Sequence, residues 1–486
     1  MHDAAGAGRY APGPVMRRPG LALALALAAF PAVARAEGDA PSPAGADGAV
    51  VALVGGEVRP VSGPVLPRGT VLLRGGRIAA VGADVAVPEG ARVIDCAGAV
   101  VTPGLIDADC ALGLTPWDAG AGVPGADARA IDAFDGWDER LGTALREGVT
   151  ALVLGANREQ VLGGVACVVP TGPPGAAPLA SDAAVVLNVS TRGAGGGAPG
   201  AFRTATIRGA LQAALDRRIE VERWRRDLAE YEDERLAVEP TLEERLLLSP
   251  ELLARMRLWT PAERAAWREA TYKSMGREKA YTKPKNPATP PRAPGDDPNL
   301  DALRDALGDG ATPAARRTLL RAELEGDVDA ALRIAADFAL TPVVAGGEGL
   351  RRRTAELARA HARVVLTHLG DTSASTTSAV ARRSPGLAAA LAAARLRPAL
   401  GTGGVGAARW LRLFAAREIA EGLPRDAALA AVTLWAAESA GVEAQMGSLD
   451  AGKRGDVVVW SGDPFGATSR ALHVFVEGAE VDVAAR

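Results

Sequence analysis

Strand-like patterns at both ends of the chain, with strand-like and helix-like patterns alternating between them, constrain the fold of these 486 residues most. Short apolar runs split by glycines open it: Ala49–Val54, Thr70–Leu73, Ile78–Val81 and Arg92–Ile94. Gly75 and Gly76 lie between two of them, a hairpin signal. Similar runs close it: Asp456–Trp460, Ala471–Val476 and a short one near Val481. Between these all-β ends, Ala99–Ile106, Ala151–Leu154, Gly164–Val169, Ala184–Val189, Thr318–Leu324, Pro342–Ala345, Val364–Thr367 and Pro398–Gly401 read as strands. Helical patterns such as Asp327–Phe338 and Leu350–His361 separate the later ones. Parallel β/α alternation on this scale predicts an α/β fold, a (β/α)₈ TIM-like barrel.

Residues 216–300 interrupt the alternation. Ile219–Leu236 and Thr241–Lys279 are charged, helical in pattern, and carry Trp224, Trp259 and Trp267. Asn286–Asn299 is Pro-rich loop, and Lys273, Lys279, Lys283 and Lys285 precede it. This reads as a solvated helical insertion.

The net charge of −3 gives no argument for nucleic acid or an anionic membrane. The N-terminus reads as a signal peptide over residues 1–36. Met16-Arg17-Arg18 is basic, Leu21–Phe30 is apolar, and Ala34-Arg35-Ala36 is a small-x-small cleavage site before Glu37. The apolar run is too short for a stable membrane span. Residues 37–47 then form a linker, and a periplasmic or secreted location follows. Cys96, Cys110 and Cys167 are odd in number and lack metal-site spacing. They read as small buried hydrophobes.

The residues Val101–Leu114 are Val-Thr-Pro-Gly-Leu-Ile-Asp-Ala-Asp-Cys-Ala-Leu-Gly-Leu. This stretch resembles the Val-x-Pro-Gly-Leu-Ile-Asp-x-His-x-His-Leu-Gly signature of the metal-dependent amidohydrolase superfamily. Glu147-Gly148-Val149-Thr150 resembles the same family's second strand, and Val161-Leu162-Gly163-Gly164 a turn of its imidazolonepropionase-like branch. Gly447–Trp460 resembles its closing Gly-Ser-Leu-x-x-Gly-Lys-x-Ala-Asp-Leu-Val-Val-x segment, and Val474-Phe475-Val476-Glu477-Gly478 its last strand. The resemblance implies that residues 48–102 and 444–486 form one composite β-sandwich. The barrel, residues 103–443 with the insertion at about 216–300, is then inserted between its halves.

In that family, ligands for one or two divalent ions come from strands one, five, six and eight and from a bridging residue often on strand four. The ions polarise the scissile carbonyl of a C–N bond. Here Asp109 and Ala111 stand where the strand-one histidines would be. Arg321 stands at the strand-five histidine with Glu323 two residues on, Gly346 at the strand-six histidine and Gly403 at the strand-eight Asp. The bridging position cannot be placed from the sequence. Ala and Gly have no ligating side chain, and Arg321 puts a permanent cation in the pocket. His368 ends strand seven and is the one histidine at a catalytic-face position; His361 ends a helix and His473 lies in the sandwich. Asp107 reads as a hydrogen-bonding residue of the barrel top. Thr372–Ser378 shows no Ser/His/Asp constellation, and Gly193–Gly197 no phosphate cradle.

The reading is an exported pseudoenzyme with no catalytic residues, metal or cofactor. Its vestigial pocket comprises Asp109, Ala111, Arg321, Glu323, Gly346, His368 and Gly403. It binds a small ligand, or works as a homodimer or beside a paralogous active amidohydrolase. Two alternatives stand: an active hydrolase using zinc or another divalent metal on Asp107, Asp109, Glu323, His368 and Asp371, and a docking protein acting through the insertion. Strands one and five both aim at the pocket, so Asp109 and Arg321 are expected to pair, with Glu323 as fallback partner.

Overall fold

The computed structural model describes residues 50–114, 125–155, 160–190, 200–237, 249–256, 259, 261–276, 289–308, 316–367, 385–404 and 408–482. The expected signal peptide and linker lie outside them. Among the described residues no helix is long and apolar enough to cross a membrane.

The N-terminal strands are β1 (Val50–Val58), β2 (Leu66–Arg74), β3 (Arg77–Gly82), β4 (Arg92–Asp95) and β5 (Val100–Pro103). The barrel strands are β6 (Leu105–Cys110), β7 (Val149–Leu154), β8 (Leu162–Pro170), β9 (Ala180–Asn188), β10 (Arg317–Arg321), β11 (Pro342–Gly346), β12 (Arg363–Leu366) and β13 (Ala399–Leu400). The chain ends with β14 (Val457–Trp460), β15 (Ala471–Val476) and β16 (Ala479–Val481).

The strands from the two ends share one sheet, in the order β16-β15-β14-β5-β1-β2-β3. Gly75 and Gly76 both take positive φ at the β2–β3 hairpin turn, which their lack of a Cβ permits. Along one edge β1 changes partner: Val51–Val54 pair with β4, and Glu57–Val58 with β5. The change falls at Gly55–Gly56, where a Cβ on Gly56 would lie 2.9 Å from the Cβ of Cys96. Such a switch lets a continuous ladder fold over a core, as at the corner of a sandwich. Leu53, Val71, Ile78, Val101, Val459 and Phe475 fill that core with residues from both ends.

The other eight strands follow the order β6-β7-β8-β9-β10-β11-β12-β13. Backbone bonds from Gly403 N–H to the Asp109 carbonyl (2.8 Å) and from Ala111 N–H to the Gly404 carbonyl (3.3 Å) close the ring. Ile106 and Ala108, Val153, Val168, Val186, Leu319, Val343 and Val365 pack inside it. Ala436, Ala437 and Met446 join this cluster, carried by or following the helix Leu434–Ala440.

Two strand expectations need correction. The third strand is not parallel: β8 pairs antiparallel with both β7 and β9. The chain between β7 and β8, and between β8 and β9, is too short for a crossover helix, so the strands must reverse. The run Ala99–Ile106 is two strands rather than one. It breaks at Gly104, where a Cβ would lie 2.1 Å from Thr150 Oγ1. Beyond that break the chain leaves the terminal sheet and enters the barrel.

Trp460 ties the two parts together. It is fully buried, donates from Nε1 to Thr102 Oγ1 at 2.9 Å, and lies where a Cβ on Gly148 would be 2.4 Å from its ring. The insertion begins as the distal half of one long helix, Gly200–Ala237, whose proximal part buries Ile207, Leu211 and Ala214 in the main core. Two shorter helices follow, Pro250–Met256 and Pro261–Ser274.

Candidate functional site

The site residues sit at the carboxyl ends of the barrel strands, the end barrel enzymes use for chemistry. Along β6, Ile106 and Ala108 face the interior. Strict alternation would turn Asp109 outward. The β6–β7 pairing slips between Asp107 and Cys110, and the extra residue of this bulge turns Asp109 inward instead.

Inside, Arg321 Nη2 donates to Asp109 Oδ1 at 2.9 Å. Asp109 is fully buried and Arg321 is 4% exposed. The pair expected from the sequence therefore forms, and with Asp109 rather than Glu323. Asn188, at the end of β9 and the direct register partner of Arg321, accepts from Nη1 at 3.3 Å. Its amide is oriented by donating from Nδ2 to the Gln160 carbonyl at 2.5 Å. Asn188 escapes sequence reasoning, although it is the polar residue at the carboxyl end of the apolar run Ala184–Val189.

Glycines surround the pair. A Cβ on Gly155, just past β7, would lie 2.0 Å from Arg321 Nη2 and 3.0 Å from Asp109 Oδ1. A Cβ on Gly401 would lie 2.6 Å from the Asp109 amide nitrogen. At Gly346 it would meet the Ala322 carbonyl at 2.0 Å, so no side chain fits without backbone movement. Gly403 has φ of +70° and offers its N–H to Asp109. Ala111 donates its N–H to the Gly404 carbonyl, and its methyl group packs against the main core.

Glu323 is half-buried outside the pair. Its N–H donates to Ser190 Oγ at 2.8 Å, and Ser190 donates in turn to Asp327 in the first turn of helix Glu325–Asp337. This group organises the loop after β10. Asp107 is fully buried and latches the barrel seam. It accepts from Thr402 N–H at 2.9 Å and Thr402 Oγ1 at 2.6 Å. Burial pushes its carboxyl up to about 6; the Thr402 and Asp109 donors pull it down and the nearby Asp109 charge adds to the rise. All three cysteines are free and buried, and burial raises each thiol. His361 follows the Ala360 C-cap of the helix Thr354–Arg359 with φ of +49°, and His473 meets Glu480 at 2.6 Å. His368, Asp371, Thr372–Ser378 and Gly193–Gly197 lie outside the described residues.

The donor set suits a divalent cation poorly. Among the described residues a guanidinium already neutralises the inward carboxylate of Asp109, and Ala111 and Gly346 offer no ligand atom on a side chain. Among the described residues no three or more His, Cys, Asp or Glu side chains are grouped to hold a metal ion.

No family model matches the chain. A stretch of 66 residues is 39% identical to an amidohydrolase, tasK, of Hapsidospora irregularis, spanning 14% of this chain and 7% of that protein. An amidohydrolase of Thermotoga maritima superposes with a TM-score of 0.65 at 18% identity, over 89% of this chain and 99% of that one. Molinate hydrolase aligns over 90% of this chain and 95% of its own at 18% identity, with a TM-score of 0.47. The chain has the amidohydrolase fold, a barrel beside a sheet built from both termini.

Proposed function

We propose that this protein is an exported, non-hydrolytic member of the amidohydrolases. On this reading the barrel mouth binds a small ligand, or the chain serves as a homodimer or as the partner of a catalytically competent relative. The observation that carries the reading is the buried Asp109–Arg321 pair at the strand ends where this fold's hydrolases do their chemistry. A hydrolytic metal centre needs three or so protein ligands around an open position. The pair puts a permanent cation there, and Gly346 has no room for an imidazole. A fold alone hosts many activities, so the site supports this reading more than the barrel does. Export rests on the basic–apolar–small pattern before Glu37.

The test is a hydrolysis screen of the purified protein on cyclic amides, N-acyl amino acids and dipeptides, with zinc, manganese or nickel added. No turnover above the protein-free control is expected. Metal-dependent turnover that Asp109→Asn abolishes would establish an active hydrolase.

A further inference from the structure

The cluster at the barrel mouth has the shape of a receptor for a flat cation. Arg321 presents two nitrogens to two different strands: Nη2 to the carboxylate of Asp109 on β6, and Nη1 to the amide oxygen of Asn188 on β9. Asn188 is held in that orientation by its own bond to the Gln160 carbonyl. On a third side the guanidinium lies against bare backbone at Gly155, whose missing Cβ would sit 2.0 Å from Nη2. One carboxylate, one amide oxygen and a glycine surface complement a planar, singly charged group with in-plane donors. Among the described residues these groups do not supply the several oxygen or imidazole ligands in three dimensions that a spherical divalent ion requires.

We propose that Asp109, Asn188 and Gly155 form a guanidinium-binding site that the chain fills with its own Arg321. This cation braces the ends of three barrel strands. Thermal rescue reads this site and turnover reads the function proposed for the protein, so loss of rescue and gain of turnover are distinguishable outcomes.

The test empties the site. Full-length Arg321→Ala is expected to melt below the wild-type protein. Methylguanidinium at low millimolar concentration should raise its melting temperature in a saturable way, as a ligand binding only the folded state does. Equal urea or sodium chloride should not, and Asp109→Asn/Arg321→Ala should show no rescue. Absence of rescue by methylguanidinium, or equal rescue by zinc or manganese ions, overturns the proposal. If Arg321→Ala does not fold, Gly155→Ala carries the test. It should melt below wild type, and adding Arg321→Lys, which withdraws the planar head from the new methyl group, should recover part of the loss. A Gly155→Ala protein that melts like wild type, or that Arg321→Lys does not improve, overturns it.

Discussion

The Asp109 carboxylate and the Arg321 guanidinium lie 2.9 Å apart although 212 residues separate them along the chain. Each offsets much of the other's desolvation, and removing one leaves the other charged in a buried place. Asp109→Ala is therefore expected to destabilise the fold by about 3 kcal/mol in urea unfolding. Asp109→Ala combined with Arg321→Met should recover part of that loss. A single variant within about 0.5 kcal/mol of wild type, the usual range for surface changes, would show that the pair is not buried in solution.

A histidine placed at Gly346 should not fit. Gly346→His places a Cβ 2.0 Å from the Ala322 carbonyl, a clash with backbone that cannot swing aside. A loss of about 3 kcal/mol, at the upper end for overpacking, is expected. A Gly346→His protein with unchanged melting temperature would mean that β11 relaxes easily.

Asp107 predicts a pH dependence with a definite sign. Its folded pKa, about 6, lies above the ordinary 3.8, so the folded state binds its proton more tightly than the unfolded state. Its contribution to stability is fully present below about pH 4 and is lost as pH rises through about 6, on the order of 2–3 kcal/mol. Asp456 is also buried and shifted upward, so the quantity to measure is the difference between wild type and Asp107→Asn. That difference should change between pH 4 and 7; a constant difference would contradict the assignment.

Much of this architecture was legible in the sequence. The terminal apolar runs and the Gly75-Gly76 turn read correctly because strand alternation and hairpin turns are local signals. The Asp109–Arg321 pair is legible in the sequence because the resemblance aims strands one and five at one pocket. The antiparallel β8 was hidden, since an apolar run such as Gly164–Val169 carries no mark of direction; the lack of a helical pattern on either side was the available clue. The bulge that turns Asp109 inward depends on pairing with β7, and Gly104 breaks a strand because Thr150 stands against it. Asn188 is not legible in the sequence because one amide in an apolar run has no motif.

At the opposite ends of the strands, Glu438 on the helix Leu434–Ala440 accepts from Arg363 at 2.6 Å and from Arg397 at 2.9 Å. Both arginines are partly exposed, so solvent screens the contacts. Glu438→Ala is expected to cost about 1–2 kcal/mol, between exposed and buried pairs. Hydrogen exchange should quicken in β12 and in that helix; unchanged exchange in both would remove Glu438 from the account.

On the function proposed here, the Arg321 guanidinium takes the place of a metal ion at the barrel mouth. Elemental analysis of protein purified without chelator, its metal tag removed, tests it most directly. Zinc, manganese, iron and nickel well below one equivalent per chain, with a melting temperature unmoved by EDTA, is the predicted result. One tightly held equivalent that survives dialysis, and whose removal lowers the melting temperature, would contradict it.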